Sequence, residues 1–275
     1  MRITALAENE SHFDNLGSEH GLSLYIETEK HQLLFDTGQG SLFAENAVKL
    51  SINLSQVDLC IISHGHYDHG GGLKSFLSLN SISPVIVSQK AFGDYYANRT
   101  DAPKAYIGLD KTLLPNDRFV FTGGYLAVED GLEIFSTVTG QTLQPTGNGD
   151  LFEKIGDSFI SDSFAHEQNL IITDNGKTVL IAGCAHKGII NIVESFHDLK
   201  GHYPDYVIGG FHLYNKASGG SEEEDTVNAI GRYLMLTGSQ YYTCHCTGMA
   251  AYLSLKTVMT DKIDYLSTGN QIYIK

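Results

Sequence analysis

The stretch IISHGHYDHGGGL, residues 61–73, sets three histidines and an aspartate within six positions at the mouth of an apolar strand. A polar loop that happens to be rich in histidine is one reading, and a metal site is the other. His64 and His66 are two apart on a turn leaving the strand, so both can aim at one point. Asp68 and His69 are adjacent, so their side chains diverge and can serve a second point close by. Imidazole and carboxylate donors together suit Zn, Mn or Fe, and a catalytic zinc keeps three protein ligands and one open position. Gly70, Gly71 and Gly72 follow at once, where glycine lets the backbone turn sharply and approach a ligand closely. A lone H-x-H is weak evidence; the full H-x-H-x-D-H at a strand end favours metal.

Upstream of this loop, GLSLYIETEK (21–30) alternates apolar and polar residues, and HQLLFDTG (31–38) closes an apolar run with Asp and Gly, which predicts a hairpin. Residues 41–50 place Phe43, Ala47 and Leu50 on one helical face, and VDLCIIS (57–63) and PVIVS (84–88) read as buried strands. Residues 89 to about 165 are the least regular part, rich in Tyr, Asp, Gly and Pro, and read as a lid or specificity segment with some strands and a long loop. Tyr95, Tyr96, Arg99, Lys104 and Tyr106 lie in it without an assigned contact.

Downstream, NLIITDNGKTVLIAG (169–183) is two apolar runs around Asn-Gly, a strong hairpin signal. GIINIVESFHDL predicts a helix, DYVIGG a strand, and SEEEDTVNAIGRYLML a helix capped by Ser221 and Glu224 in an S-x-x-E box. QYYTC, GMAAYLSLK and QIYIK follow as strand, helix and strand. There is no tandem repeat or low-complexity linker. Strands and helices alternate in two halves, which predicts an α/β fold of sheets covered by helices in a single domain, residues 1–275.

Lys and Arg number 18 against 32 Asp and Glu, a formal net charge of −14. That field repels polyanions, so neither nucleic acid nor an anionic membrane is an expected partner. A small anionic substrate stays open, because bound cations reverse the sign inside a cleft. The start, MRITALAENESHFDN, puts acids where the apolar core of a signal peptide would lie, and no apolar run is long enough to span a bilayer. Four cysteines do not make a disulfide framework, so a reduced, cytoplasmic protein is expected.

The loop motif resembles the hallmark of the metallo-β-lactamase superfamily. FDTG (35–38), EHGLSLYIE (19–27), EQNLIIT (167–173), GCAHKGIINIV (183–193), VIGGFHL (207–213) and HCTG (245–248) add a closer resemblance to the branch holding the dihydropterin-ribofuranosylaminobenzene 5'-phosphate synthases and their bacterial relatives. The resemblance implies an αββα four-layer sandwich with the metal site at one edge, and two divalent ions, Zn first with Mn or Fe as alternatives. By the same resemblance, Asp36 steadies the metal-site loops without binding metal, and His186 in GCAHKG is the third ligand beside His64 and His66.

His245 stands between Cys244 and Cys246. In an extended segment the two thiols share one face and His245 takes the other, so all three cannot enter one site. His245 is the expected ligand, joining Asp68 and His69 at a second metal, with the thiols buried or behind it; Cys184 is likewise expected behind the ligands. Dinuclear relatives usually supply a bridging carboxylate after the third motif, whereas here the strand ends in Gly209 and Gly210, with His212 two residues on. Either His212 serves the metals or the substrate, or the bridge is missing. Thr247 and Gly248 begin a helix whose N–H groups suit a phosphate or carboxylate, and His20 is a candidate pocket residue. His12, His31, His166, His197 and His202 lack ligand spacing.

This constellation implies a hydrolase in which Asp68 binds metal and orients the nucleophile, acting on a small ester, lactone, amide or phosphoester. The branch resemblance implies an alternative, a synthase that releases diphosphate on joining a pterin to an aminobenzene ribosyl phosphate. A non-catalytic metal-binding module is the third reading.

Overall fold

The computed structural model describes residues 1–100 and 104–275, and the counts given are of those residues. Asp101, Ala102 and Pro103, within the expected lid segment, lie outside the described residues. The chain divides into two compact units: residues 1–93, 108–123 and 266–275 form the first, and 94–107 and 124–265 the second.

With strands numbered along the chain, the first unit carries β1 (Arg2–Ala7), β2 (Ser23–Glu27), β3 (Gln32–Phe35), β4 (Leu59–Ile61), β5 (Val85–Ser88), β8 (Phe119–Thr122) and β20 (Gln271–Tyr273). They form one seven-stranded sheet in the order β20-β1-β2-β3-β4-β5-β8. The hairpin expected at 21–38 is present, with β2 and β3 antiparallel from Leu24 opposite Phe35 to Glu27 opposite Gln32. From β3 to β8 every pairing is parallel. Helices α1 (Leu42–Lys49), α2 (Tyr67–Gly70) and α3 (Leu73–Leu79) lie between these strands in sequence. Phe43 and Ala47 of α1 and Phe76 of α3 join Leu34, Cys60, Val85 and Val87 in one apolar core.

The second unit repeats the plan. Its main sheet runs β19-β18-β15-β14-β13-β10-β9, built from β9 (Tyr125–Glu129), β10 (Leu132–Phe135), β13 (Asn169–Asp174), β14 (Lys177–Ile181), β15 (Tyr206–Gly209), β18 (Gln240–Thr243) and β19 (Ile263–Tyr265). Asn175 and Gly176 form the two-residue turn between β13 and β14, both with positive φ (51° and 74°), as an Asn-Gly hairpin requires. Strands β14, β15, β18 and β19 are parallel. Helices α4 (Ile189–Lys200), α5 (Glu224–Met235) and α6 (Met249–Met259) connect them, and bury Ile192, Phe196, Ile230, Leu234, Leu255 and Met259 in the core of this unit.

Part of the segment 89–165 forms a small sheet of β12 (Ser158–Ser161), β11 (Leu151–Ile155), β6 (Tyr95–Ala97) and β7 (Ala105–Tyr106). A short hairpin of β16 (Tyr214–Asn215) and β17 (Gly220–Ser221) completes the unit.

Two local expectations are corrected. Helix α5 starts at Glu224 with no side-chain cap, because Ser221 is already paired with Tyr214 in the β16–β17 hairpin. The glycines after the His-rich loop do not serve a sharp turn: Gly71 and Gly72 have ordinary helical φ values of −65° and −80°. They are required by close approach, since a Cβ on Gly71 would lie 2.4 Å from the carbonyl oxygen of Gln39, and one on Gly72 would lie 2.2 Å from that of Thr37.

Candidate metal centre

In both units the chemistry-bearing residues lie just past the carboxyl ends of parallel strands, where open α/β sheets bind ligands. Asp36 follows β3 and His64 follows β4 in the first unit; Cys184, His212 and His245 follow β14, β15 and β18 in the second.

In the first unit the chain turns through a left-handed residue at Asp36 (φ 59°), which places its carboxylate, wholly buried, under the next loop. Its Oδ1 accepts the N–H of Ser63 at 2.7 Å, and its Oδ2 accepts the Ser63 hydroxyl at 2.7 Å and His69 Nδ1 at 2.6 Å. Ser63 Oγ also lies 2.9 Å from His64 Nδ1. The single Ser63 hydroxyl proton goes to the carboxylate, so the serine oxygen must accept from His64 Nδ1–H. One buried carboxylate thereby sets the tautomers of His64 and His69 and leaves the lone pair of each ring on Nε2, as a metal ligand needs. The rings of His66 and His69 lie 4.6 Å and 4.1 Å from that of His64, and a ring nitrogen of His64 lies within 4.8 Å of one on each. As expected from their adjacency, Asp68 and His69 diverge: Asp68 Oδ2 meets His20 Nε2 at 3.1 Å. His20 therefore holds Asp68, and its own Nδ1 lies 3.4 Å from Asn9 Nδ2.

In the second unit His186 is gripped from several sides. Asn148 Nδ2 donates to the His186 carbonyl at 2.8 Å and its Oδ1 lies 3.2 Å from His186 Nδ1. With the amide nitrogen turned to the carbonyl, Oδ1 accepts from Nδ1–H, and the lone pair again falls on Nε2. Phe164 stacks on the ring at 4.5 Å with planes 7° apart. The buried Glu167 carboxylate accepts the N–H groups of His186 at 2.7 Å and Lys187 at 3.0 Å. Burial pushes the Glu167 carboxyl up, against the pull of these two bonds.

The ring of His212 lies 4.2 Å from that of His186, and both of its ring nitrogens are buried with no hydrogen-bond partner among the described residues. Such a ring is costly unless something not present in the protein itself satisfies it. Cys184 Sγ and one ring nitrogen each of His186 and His212 all lie within 4.8 Å of one another.

The segment 244–246 departs from expectation. Cys244 is extended, but the chain turns at His245 (φ 51°) into a single 3-10 turn, His245–Thr247. The alternation argument that set His245 opposite the thiols therefore fails. One ring nitrogen of His245 and the Sγ atoms of Cys246 and Cys184 all lie within 4.8 Å of one another. Burial opposes ionisation of Cys246, yet hydrogen bonding with Cys184 and His212, and the nearby imidazoles of His245 and His212, hold its thiol well below the usual range.

The Thr247 side chain is turned inward. The Thr247 hydroxyl is wholly buried, accepting the Phe211 N–H at 2.9 Å and bonded to Thr243 Oγ1 at 2.5 Å. The N–H groups of Thr247 and Gly248 are engaged by the carbonyls of Cys244 and His245. His166 is a satisfied core residue, 3.0 Å from Asp162.

Sequence reasoning missed Ser63, Asn148, Phe164 and Glu167. Ser63 is legible only once Asp36 is known to sit beneath it, and Asn148 lies in a segment with no periodicity to read.

The family model for the metallo-β-lactamase superfamily matches residues 16–217, and the chain belongs to that superfamily. The 7,8-dihydropterin-6-methyl-4-(β-D-ribofuranosyl)-aminobenzene-5'-phosphate synthase of Methanocaldococcus jannaschii is 28% identical, covering 99% of this chain and 96% of its own length. An uncharacterised protein of the same organism is 29% identical over 92% of this chain and 93% of its own. The crystal structure of Tm1679, described as a metal-dependent hydrolase of the β-lactamase superfamily, superposes with a TM-score of 0.84 at 29% identity, covering 100% of this chain and 99% of that one. The α/β fold is thus of the metallo-β-lactamase type. No described helix is long and apolar enough to cross a membrane.

Proposed function

We propose that the chain is a metal-dependent hydrolase of a small ester, lactone, amide or phosphoester. The observation that carries this reading is the fixing of imidazole tautomers: Asp36 orients His69 directly and His64 through Ser63, and Asn148 orients His186. A merely polar loop has no need of such supports, whereas a metal ligand does. In this reading His64, His66, Asp68 and His69 are the divalent-ion donors of the first unit and His186 and His245 those of the second, with zinc favoured over Mn or Fe. Ions so held supply Lewis acidity and bring hydroxide within reach near neutral pH, against a pKa of about 15.7 for bulk water. Asp68, with His20 on its outer oxygen, keeps a carboxylate in place to accept the nucleophile's hydrogen bond. His212, whose ring nitrogens have no hydrogen-bond partner among the described residues, binds either the ions or the leaving oxygen of the substrate. Tm1679, described as a metal-dependent hydrolase, supports the class.

The archaeal synthase supports a second reading, in which the same residues stabilise departing diphosphate as two co-substrates join. Metal-loaded protein offered a panel of single phosphoesters and lactones, and separately a dihydropterin diphosphate with and without a ribosyl-aminobenzene phosphate, distinguishes the two. Turnover of any single substrate supports the hydrolase. Diphosphate released only when both co-substrates are present overturns it in favour of the synthase.

A further inference from the structure

Gly210 follows β15, at whose end the superfamily resemblance leads one to expect a carboxylate, and the structure gives that glycine a specific neighbour. A Cβ added at Gly210 would lie 2.5 Å from the sulfur of Cys246. The absent side chain is thus space occupied by a thiol. The Cys246 sulfur accepts the His212 N–H at 3.3 Å and lies 3.5 Å from the Cys184 carbonyl oxygen. Around it, the Cys184 sulfur and a His245 ring nitrogen complete a triplet whose donor atoms all lie within 4.8 Å of one another. All three residues are almost fully buried, and they follow the ends of the parallel strands β14 and β18, which flank β15, with Gly210 just past the end of β15. Neither cysteine is in a disulfide.

We propose that Cys184 and Cys246 are sulfur ligands of the ion that His245 serves, so that this ion sits in a thiolate–imidazole donor set. The proposal rests on the reading that His245 is a metal ligand, and it names the donors that take the place of a bridging carboxylate. Two buried sulfurs beside one imidazole are a soft set. They favour zinc or iron(II) and disfavour manganese and magnesium, which prefer oxygen. An N–H donated to a cysteine sulfur, as from His212 to Cys246, is the sort of outer contact that steadies a ligating thiolate. On binding, both thiols give up their protons to solvent, and the weak Cys246 contact with the Cys184 carbonyl is exchanged for the metal bond.

The test is optical and needs no substrate. Apo-protein of full length is loaded with cobalt(II) alone, dialysed, and assayed for bound cobalt by elemental analysis. The proposal predicts an intense near-ultraviolet sulfur-to-cobalt charge-transfer band beside the weak visible bands of the ion. Either Cys184→Ser or Cys246→Ser loses part of that band and the double variant loses all of it, while Cys60→Ala, in the core of the first unit, retains it. Bound cobalt with visible bands and no sulfur band in the unaltered protein overturns the thiolate proposal and leaves the metal-centre reading standing. Failure to retain cobalt at all overturns both.

Discussion

The Ser63 hydroxyl has one proton, and the geometry assigns it to Asp36. His64 must then donate from Nδ1, and removing the relay removes the reason for that tautomer. Ser63→Ala is therefore expected to weaken metal affinity by about 10 to 100-fold, the usual cost of losing an outer contact to a ligating imidazole. Asp36→Ala should cost more than Ser63→Ala, since it unseats His69 as well; metal titration followed by calorimetry measures both. Thr247 behaves differently. Its hydroxyl is enclosed between the Phe211 N–H and Thr243, so Thr247→Val is expected to destabilise the fold by roughly 1–3 kcal/mol in urea denaturation. Inhibition by added phosphate should be unchanged in that variant, because the side chain faces the interior. The inward setting of Thr247 was not legible for a local reason: the chain enters a 3-10 turn at His245–Thr247, and a positive φ at His245 leaves no trace in residue type.

At the scale of elements, the parallel strands β14 and β15 are tied at their start by Asp205, which accepts the N–H of Thr178 at 2.8 Å, its hydroxyl at 3.1 Å and the Lys177 ammonium at 3.0 Å. Burial pushes the Asp205 carboxyl up, but these bonds outweigh it and hold the group below the ordinary carboxylate range. Its folded value lies below its unfolded one, so its contribution is full above the unfolded pKa of about 3.9 and is lost as pH falls through the folded value. Asp205→Asn should therefore flatten the acid limb of the stability–pH curve, checked by thermal melts from neutral pH downward. Helix α4 is held by its apolar face, and Phe196→Ala is expected to cost about 3–5 kcal/mol, since that ring is wholly buried in the core of its unit. Elements of this kind were legible in sequence because periodicity reports them: the Asn-Gly hairpin, helix α4 and the strand before His64 all fall where the pattern puts them. The start of α5 was not, because Ser221 is claimed by a strand partner seven residues upstream, and local pattern carries no record of such pairing.

For the whole molecule, the sequence motif and the positions of Asp36, His64, His186 and His245 at strand ends were enough to indicate the superfamily, and the match over residues 16–217 establishes it. The supports of these histidines were not legible. Asn148 and Phe164 reach His186 from a segment without repeat or period, and only folding brings them to it. The proximity of the Cys246 sulfur to His245 was not legible either, since it depends on one left-handed residue at His245. The central claim is that these histidines serve two metal ions. Elemental mass spectrometry on protein purified without chelator or added metal tests it most directly. Two ions per chain, chiefly zinc, is the expected result; none, even after reconstitution with zinc, would contradict the account.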